Sequence, residues 1–247
     1  MQNIGLYVIG DEILSGKRKD AHLNKVIELL SARGLQLSWA HFLGDVPEQI
    51  TSLLKASMER GDIVFSFGGI GATPDDYTRQ CAADAAGVPI ERHAAAVAEI
   101  ESQFGESAYP KRVLMADFPK GADLIPNPIN RVAGFSINEH YFVPGFPEMG
   151  HPMIEWVLET YYQHLFHQQD YLESSIIVSK AGESDLIDLM NSMLEQYPTL
   201  KIFSLPKSKQ HRITELGMKG ESVFVHQAME QLKIAVSALG YPWQDLS

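Results

Sequence analysis

The sequence predicts an α/β protein: a three-layer arrangement with a parallel-type sheet between flanking helices, followed by a small C-terminal α+β domain. Three observations carry this. Over residues 1–168 strands alternate with helices, the order that implies parallel strands joined by right-handed crossovers. The opening run Ile4–Ile9 is almost continuously apolar, as in a strand covered on both faces. After Gln168 the order restarts as β-α-β-β-α. This places a boundary near residue 169 and divides the chain into 1–168 and 169–247.

The elements follow in order. After Ile4–Ile9, Asp20 serves as N-cap of a helix with Leu23, Val26, Ile27 and Leu30 on one face, and Gly34 as its stop. Leu35–Leu43 forms the next strand, and Pro47 opens a helix to Arg60 that Gly61 ends. Asp62–Phe67 is a third strand, running into Gly68-Gly69-Ile70-Gly71. Helices are predicted over Tyr77–Ala86 and Ala94–Phe104, then a short one at Arg112–Ala116 and a strand at Asp123–Ile125. Phe135–Asn138 and His140–Val143 form a hairpin, and Pro144–Pro147 starts an aromatic-rich helix through His167. In the second domain the strands are Ser174–Ser179, Lys201–Leu205 and Arg212–Met218, with helices Glu183–Gln196 and Ser222–Leu239.

Composition narrows the function. With 45% apolar residues the chain can build buried cores. Its formal net charge of −11 argues against nucleic-acid binding, which needs a basic surface. Any phosphate ligand must then be met by backbone amides or a metal ion. The one cysteine, Cys81, fits a reducing cytoplasm. No apolar run reaches membrane-spanning length, and the N-terminal run lacks the basic lead-in of a signal peptide.

Ligands of open parallel sheets bind beyond the carboxyl ends of the strands. Four segments fall there: Gly10-Asp11-Glu12, Gly44-Asp45, Gly68–Asp76 and Pro144–Pro147. Glycines at 68, 69 and 71 let the backbone approach an anion closely, and a helix start directs amides toward it. Gly10, Gly68, Gly69, Gly71, Thr73, Pro144 and Gly145 are therefore the candidate phosphate- or ligand-binding residues. The loop is not a dinucleotide fingerprint, because Thr73 replaces the third glycine, nor is Gly10–Arg18 a Walker loop. Asp11, Glu12, Asp45, Asp75 and Asp76 are the carboxylates expected in the crevice. Carboxylates beside phosphates repel unless a hard divalent cation such as Mg²⁺ bridges them, so these five are the candidate metal ligands. The bland alternatives are a tight turn at Gly68–Asp76 whose acids complement a helix dipole, and Asp45 as a cap of the Pro47 helix. His164 and His167 lack a third ligand and read as a surface pair. Gly217-Met218-Lys219-Gly220 has the GxxG pattern of RNA-binding loops, but between a strand and a helix in an acidic domain.

Gly10-Asp11-Glu12-Ile13-Leu14-Ser15-Gly16, Asp20, Asn24, Gly44-Asp45 and Gly68–Thr78 together resemble the competence/damage-inducible protein A (CinA) N-terminal family of the MoaB/Mog molybdopterin-binding superfamily. Asn127-Pro128 and Pro144–Met149 are similar to further motifs of the family, and Gly182–Asp185 to the opening of its following small domain. The run Asn130–Phe135 departs from the family's usual Gly-Thr-Ala-Pro-Gly-Phe-like segment, and no counterpart of a deamidase domain precedes Ser247, so deamidation is not expected. The resemblance implies a MoaB/Mog-like fold and metal-dependent hydrolysis of ADP-ribose- or FAD-like pyrophosphates, with Asp45 and Asp76 as the catalytic residues. Its alternatives are molybdopterin binding or adenylyl transfer in the same crevice, and a non-catalytic ligand-sensing module. The expected partner is a small nucleotide or pterin. Oligomerising relatives and the aromatic stretch Trp156–His167 add the expectation of a homodimer.

Overall fold

A computed structural model describes residues 2–168, 170–208 and 212–246; Gln169, beside the expected boundary, lies outside them. The chain divides into two compact units, Met1–Phe166 and His167–Ser247.

The first unit runs β1 (Ile4–Ile9), α1 (Asp11–Leu14), α2 (His22–Ser31), β2 (Trp39–Leu43), α3 (Pro47–Arg60), β3 (Ile63–Phe67), α4 (Thr78–Ala86), β4 (Ile90–Arg92), α5 (Ala94–Phe104), β5 (Asp117–Pro119), β6 (Asp123–Ile125), β7 (Gly134–Ile137), β8 (His140–Val143) and α6 (Pro147–Tyr161). Short 3₁₀ turns lie at Gly105–Ala108, Arg112–Ala116 and Gln163–Leu165. The main sheet has the order β2-β1-β3-β8-β7-β6. Its first four strands are parallel, whereas β7 runs antiparallel to β8 and β6 antiparallel to β7. The parallel-type sheet expected from the sequence is thus a mixed one. The cause is the two-residue turn Asn138-Glu139, with φ of 49° and 60°, the left-handed pair that a tight hairpin requires.

All six residues of β1 are buried because the sheet is covered on both sides. On one side Tyr7, Val64, Phe142 and Phe135 pack with Ile50, Leu54, Cys81 and Ile100 from α3, α4 and α5. On the other, Leu6, Val8, Phe65, Phe67 and Val143 meet Val26 and Leu30 of α2 and Ile154 and Val157 of α6. Each such fully buried side chain contributes roughly 1.5–3 kcal/mol. Trp156 of α6 and Phe166 beyond it pack against the second cluster and Tyr162 is part of it, so these aromatics serve the core.

Caps follow local chemistry. The carboxylate of Asp20 accepts from the amides of His22 and Leu23 at 2.9 and 3.1 Å, starting α2. Pro47 opens α3, and Gly61 closes it at φ 69°. Strands β4 and β5 form a separate two-stranded ribbon absent from the sequence reading.

The second unit comprises β9 (Tyr171–Ser179), α7 (Glu183–Gln196), β10 (Lys201–Ser208), β11 (Ile213–Glu221), α8 (Ser222–Ala238) and β12 (Trp243–Asp245). Its antiparallel sheet has the order β10-β11-β9-β12, and Ile176, Val178, Leu216 and Met218 pack against Leu186, Val225 and Leu232 of the two helices. The Gly217–Gly220 pattern lies inside β11, not in a loop after a strand. A Cβ on Gly217 would collide with Phe203 and with the Ser174 carbonyl; the glycine serves close strand packing.

Candidate functional site

The four parallel strands end level with one another: Ile9 pairs with Leu43, Val8 with Phe67, and Phe67 with Val143. The residues that follow, Gly10, Gly44, Gly68 and Pro144, therefore emerge along one edge of the sheet. Above that edge lies a cavity of about 460 Å³. Gly10, Glu12, Asp45, Gly68, Gly69, Gly71, Thr73, Asp75, Asp76, Pro144 and Gly145 all line it. Asp11 does not; it is bonded to Asp45, which does.

The glycine loop is held by a few specific bonds. Gly68 donates to the Val143 carbonyl at 3.0 Å, and at φ 101° any Cβ would collide with the Ile9 carbonyl. Gly69, at φ 67°, lies against the Thr78 hydroxyl and its carbonyl accepts from the Thr78 amide at 3.0 Å. The amides of Gly69, Ile70, Gly71 and Ala72 donate to no acceptor among the described residues. Consecutive unspent amides of this kind form an anion-binding concavity. The helix begins at Thr78 rather than Tyr77, and its first amide is spent on the Gly69 carbonyl.

Each acid has a position the sequence could not give. The Asp45 carboxylate accepts from the Asp11 amide at 2.9 Å, and the Asp11 carboxylate accepts from the Asp45 amide at 3.2 Å. This reciprocal pair staples the loop after β1 to the loop after β2. Gly44 is required there, since its Cβ would stand 2.5 Å from the Asp11 carboxylate. Asp45 does not cap α3: Val46 holds that place without a side-chain bond. Burial raises the Asp45 pKa above the usual carboxylate value, with the Asp11, Glu12 and Asp75 charges adding to it and the Asp11 amide opposing. Asp76 turns back on its own loop, accepting from the Thr73 amide at 2.8 Å and the Thr73 hydroxyl at 2.5 Å. Asp75 is exposed, and hydrogen bonding within the loop lowers its pKa. Asp11, Glu12, Asp45, Asp75 and Asp76 are thus not gathered into a ready metal cage: no three metal-ligand side chains converge among the described residues. His164, in the Gln163–Leu165 turn, and His167 belong to no such group either.

The rest of the lining is apolar; Phe146 and the Asn130–Phe135 run were expected at the crevice, whereas Phe104 and Met115 were not. Phe104, Met115, Val132, Phe146 and Met149 make up this apolar wall, with Asn130 between them. Phe104 ends α5 and Met115 lies in a 3₁₀ turn, positions with no motif to mark them. The Asn130–Phe135 run, which departs from the family pattern, supplies Asn130 and Val132. Arg79 ties this wall to the glycine loop: its guanidinium donates to the Gly71 carbonyl at 2.5 Å, the Asp117 carbonyl at 3.2 Å and the Leu114 carbonyl. Its Nε is buried without a partner, and burial lowers its pKa. Behind Gly145, His22 Nδ1 and His151 Nε2 lie 3.2 Å apart, and the His22 ring stacks on Phe67 at 4.2 Å. Burial lowers the pKa of both imidazoles.

Known proteins share this construction. Residues 5–164 match the family described as "Probable molybdopterin binding domain". A CinA-like protein of Citrifermentans bemidjiense is 27% identical over 244 residues, covering 95% of this chain and 58% of the relative. One from Myxococcus xanthus is 30% identical over 162 residues, covering 62% of this chain and 38% of the relative. The chain thus spans 58% or less of the length of these two relatives. Among solved structures, the protein CinA of unknown function from Thermoplasma acidophilum aligns at 25% identity with a TM-score of 0.58, over 64% of this chain and 97% of that one. Through residues 5–164 the chain belongs to the family of probable molybdopterin-binding domains, and it is similar to CinA-like proteins.

Proposed function

We propose that the cavity binds a nucleotide or pterin carrying a phosphate or pyrophosphate, and that the chain hydrolyses the pyrophosphate of ADP-ribose- or FAD-like compounds. The observation that carries the reading is the division of one cavity into two chemistries. Unspent amides at Gly69–Ala72 line one part, and the apolar side chains of Phe104, Met115, Val132, Phe146 and Met149 line another. A planar ring joined to a phosphate presents the matching pair of surfaces.

In this reading Gly69, Gly71 and Thr73 hold the phosphate oxygens, while Asp45 and Asp76 orient water and any cation. The acids alone do not fit a resident metal. Mg²⁺ commonly takes one or two carboxylates and completes its shell with substrate phosphates and water, so a cation would enter together with the phosphate. Such an ion neutralises phosphate charge and acidifies bound water. Burial raises the Asp45 pKa, which makes its carboxylate a stronger proton acceptor than a solvated one.

Incubation with ADP-ribose and FAD in the presence of Mg²⁺, with AMP as the chromatographic readout, tests the proposal. Absence of AMP with both substrates would sink the hydrolase. The family description favours a second reading, molybdopterin binding with or without adenylyl transfer; a pterin that copurifies and fluoresces would support it. Ligand binding without turnover of any kind would leave a sensing module. The proposal includes a cytoplasmic homodimer, for which light scattering is the check. The buried free thiol of Cys81 is in keeping with a reducing compartment. No helix among the described residues is long and apolar enough to cross a membrane.

A further inference from the structure

Arg18 stands out among the arginines. The guanidinium groups of Arg33, Arg60, Arg79, Arg92, Arg112, Arg131 and Arg212 all donate hydrogen bonds to carboxylates or carbonyls. That of Arg18 donates none among the described residues. It rests 5.4 Å from the centre of the Phe146 ring and 3.6 Å from a Glu12 oxygen, in an exposed pairing. Exposed ion pairs of that length hold weakly, so its donors are available.

Its location gives those donors a purpose. Arg18 follows β1 and Phe146 follows β8, and these strands flank β3 in the sheet. The contact between them therefore crosses above the end of β3, where Gly68 and Gly69 begin the phosphate loop. Among the described residues Arg18 is also the single basic residue lining the cavity, against the carboxylates of Glu12, Asp45, Asp75 and Asp76. Without it, an anionic ligand would meet a wall with no full positive charge.

Building on the phosphate-binding reading above, we propose that Arg18 is a specificity-determining residue: it selects a phosphorylated ligand over its uncharged counterpart by closing its guanidinium fork on the phosphate from the side opposite the glycine-loop amides. Phe146 holds the guanidinium plane in place without consuming a donor. The fork matches two phosphate oxygens at once, a geometry an ammonium group cannot reproduce.

Calorimetric titration of the full chain with ADP-ribose, inorganic pyrophosphate and adenosine, with and without Mg²⁺, tests this. In Arg18→Ala, affinity for ADP-ribose and pyrophosphate should fall by roughly tenfold or more, while adenosine binding stays within about twofold. Arg18→Lys should recover only part of the loss. Equal weakening of adenosine would make Arg18 a packing residue and overturn the proposal, as would unchanged pyrophosphate affinity. The two readings separate cleanly. Arg18-dependent pyrophosphate binding without AMP release from ADP-ribose upholds the role of Arg18 and removes the hydrolase. Equal turnover by wild type and Arg18→Ala, with equal affinities, does the reverse. A wild-type chain that binds none of the probes overturns both.

Discussion

Asp76 illustrates how one carboxylate can hold a loop and face a ligand at once. One of its oxygens accepts both Thr73 donors, the bonding of a helix cap transferred to a phosphate loop. Asp76→Asn keeps an acceptor but loses the charge. We expect it to cost about 1 kcal/mol of stability, as lost caps do, and to abolish AMP release from ADP-ribose. A lowered melting temperature with intact turnover would reduce Asp76 to a staple. The sequence placed Asp76 at the crevice through its position after a strand, but its fold-back onto Thr73 depends on where the helix starts. Arg18 was equally visible, inside Lys17-Arg18-Lys19 of an acidic chain, yet only the structure reveals that its donors are unspent. His140 gives a residue-scale prediction of pH dependence. It is fully buried between the Ser57 hydroxyl and the Asn138 carbonyl, and burial lowers its pKa to about 4. Its unfolded counterpart titrates near 6.5, so between these values the unfolded chain binds the extra proton. The stability this histidine confers is complete above about pH 6.5 and is lost as pH falls toward about 4, by an amount on the order of 3 kcal/mol. Denaturant melts at pH 7.5 and pH 5 should reveal the loss in wild type and a smaller one in His140→Gln.

At the scale of elements, the strand-to-loop junctions decide the site. Gly68 combines φ 101° with direct contact against the Ile9 carbonyl. Gly68→Ala therefore needs both a strained backbone and displacement of β1, a cost we place at about 1–3 kcal/mol for the backbone alone. The measurable outcome is a lower unfolding midpoint together with weakened pyrophosphate binding; an alanine variant with native stability would refute the junction argument. Gly71 acts differently, because its Cβ would stand 2.5 Å from the Asp76 carboxylate. Gly71→Val should break the Asp76–Thr73 bonding and abolish ligand binding. Most elements were legible because their signals are local: Pro47 and Gly61 bracket α3, and a run rich in alanine and glutamate marks α5 over Ala94–Phe104. The β4–β5 ribbon was not, since each strand has three residues and the pair is separated by all of α5. The same reason hid Phe104 and Met115 from the site.

For the whole molecule, the two sides of the main sheet are covered from within residues 1–166, while the third cluster draws on residues 172–243. Neither unit borrows core residues from the other in these clusters. Expression of residues 1–168 alone should therefore yield a cooperatively unfolding protein that still binds pyrophosphate; a molten product without near-ultraviolet dichroism would count against it. At this scale the sequence conveyed the layer order, because alternation of strands and helices is a chain-long signal, and it also marked the hairpin that turns at Asn138-Glu139. Arg79 has a consequence for the whole cavity. By holding Gly71, Leu114 and Asp117 through one guanidinium, it ties the glycine-loop wall to the apolar wall. A ligand spanning both then meets a receptor that is already ordered, and little conformational entropy is lost on docking. Arg79→Ala would leave the two walls free to move separately. The same ligand should then bind with a markedly less favourable entropy, the mark of a cavity that must be assembled around its guest.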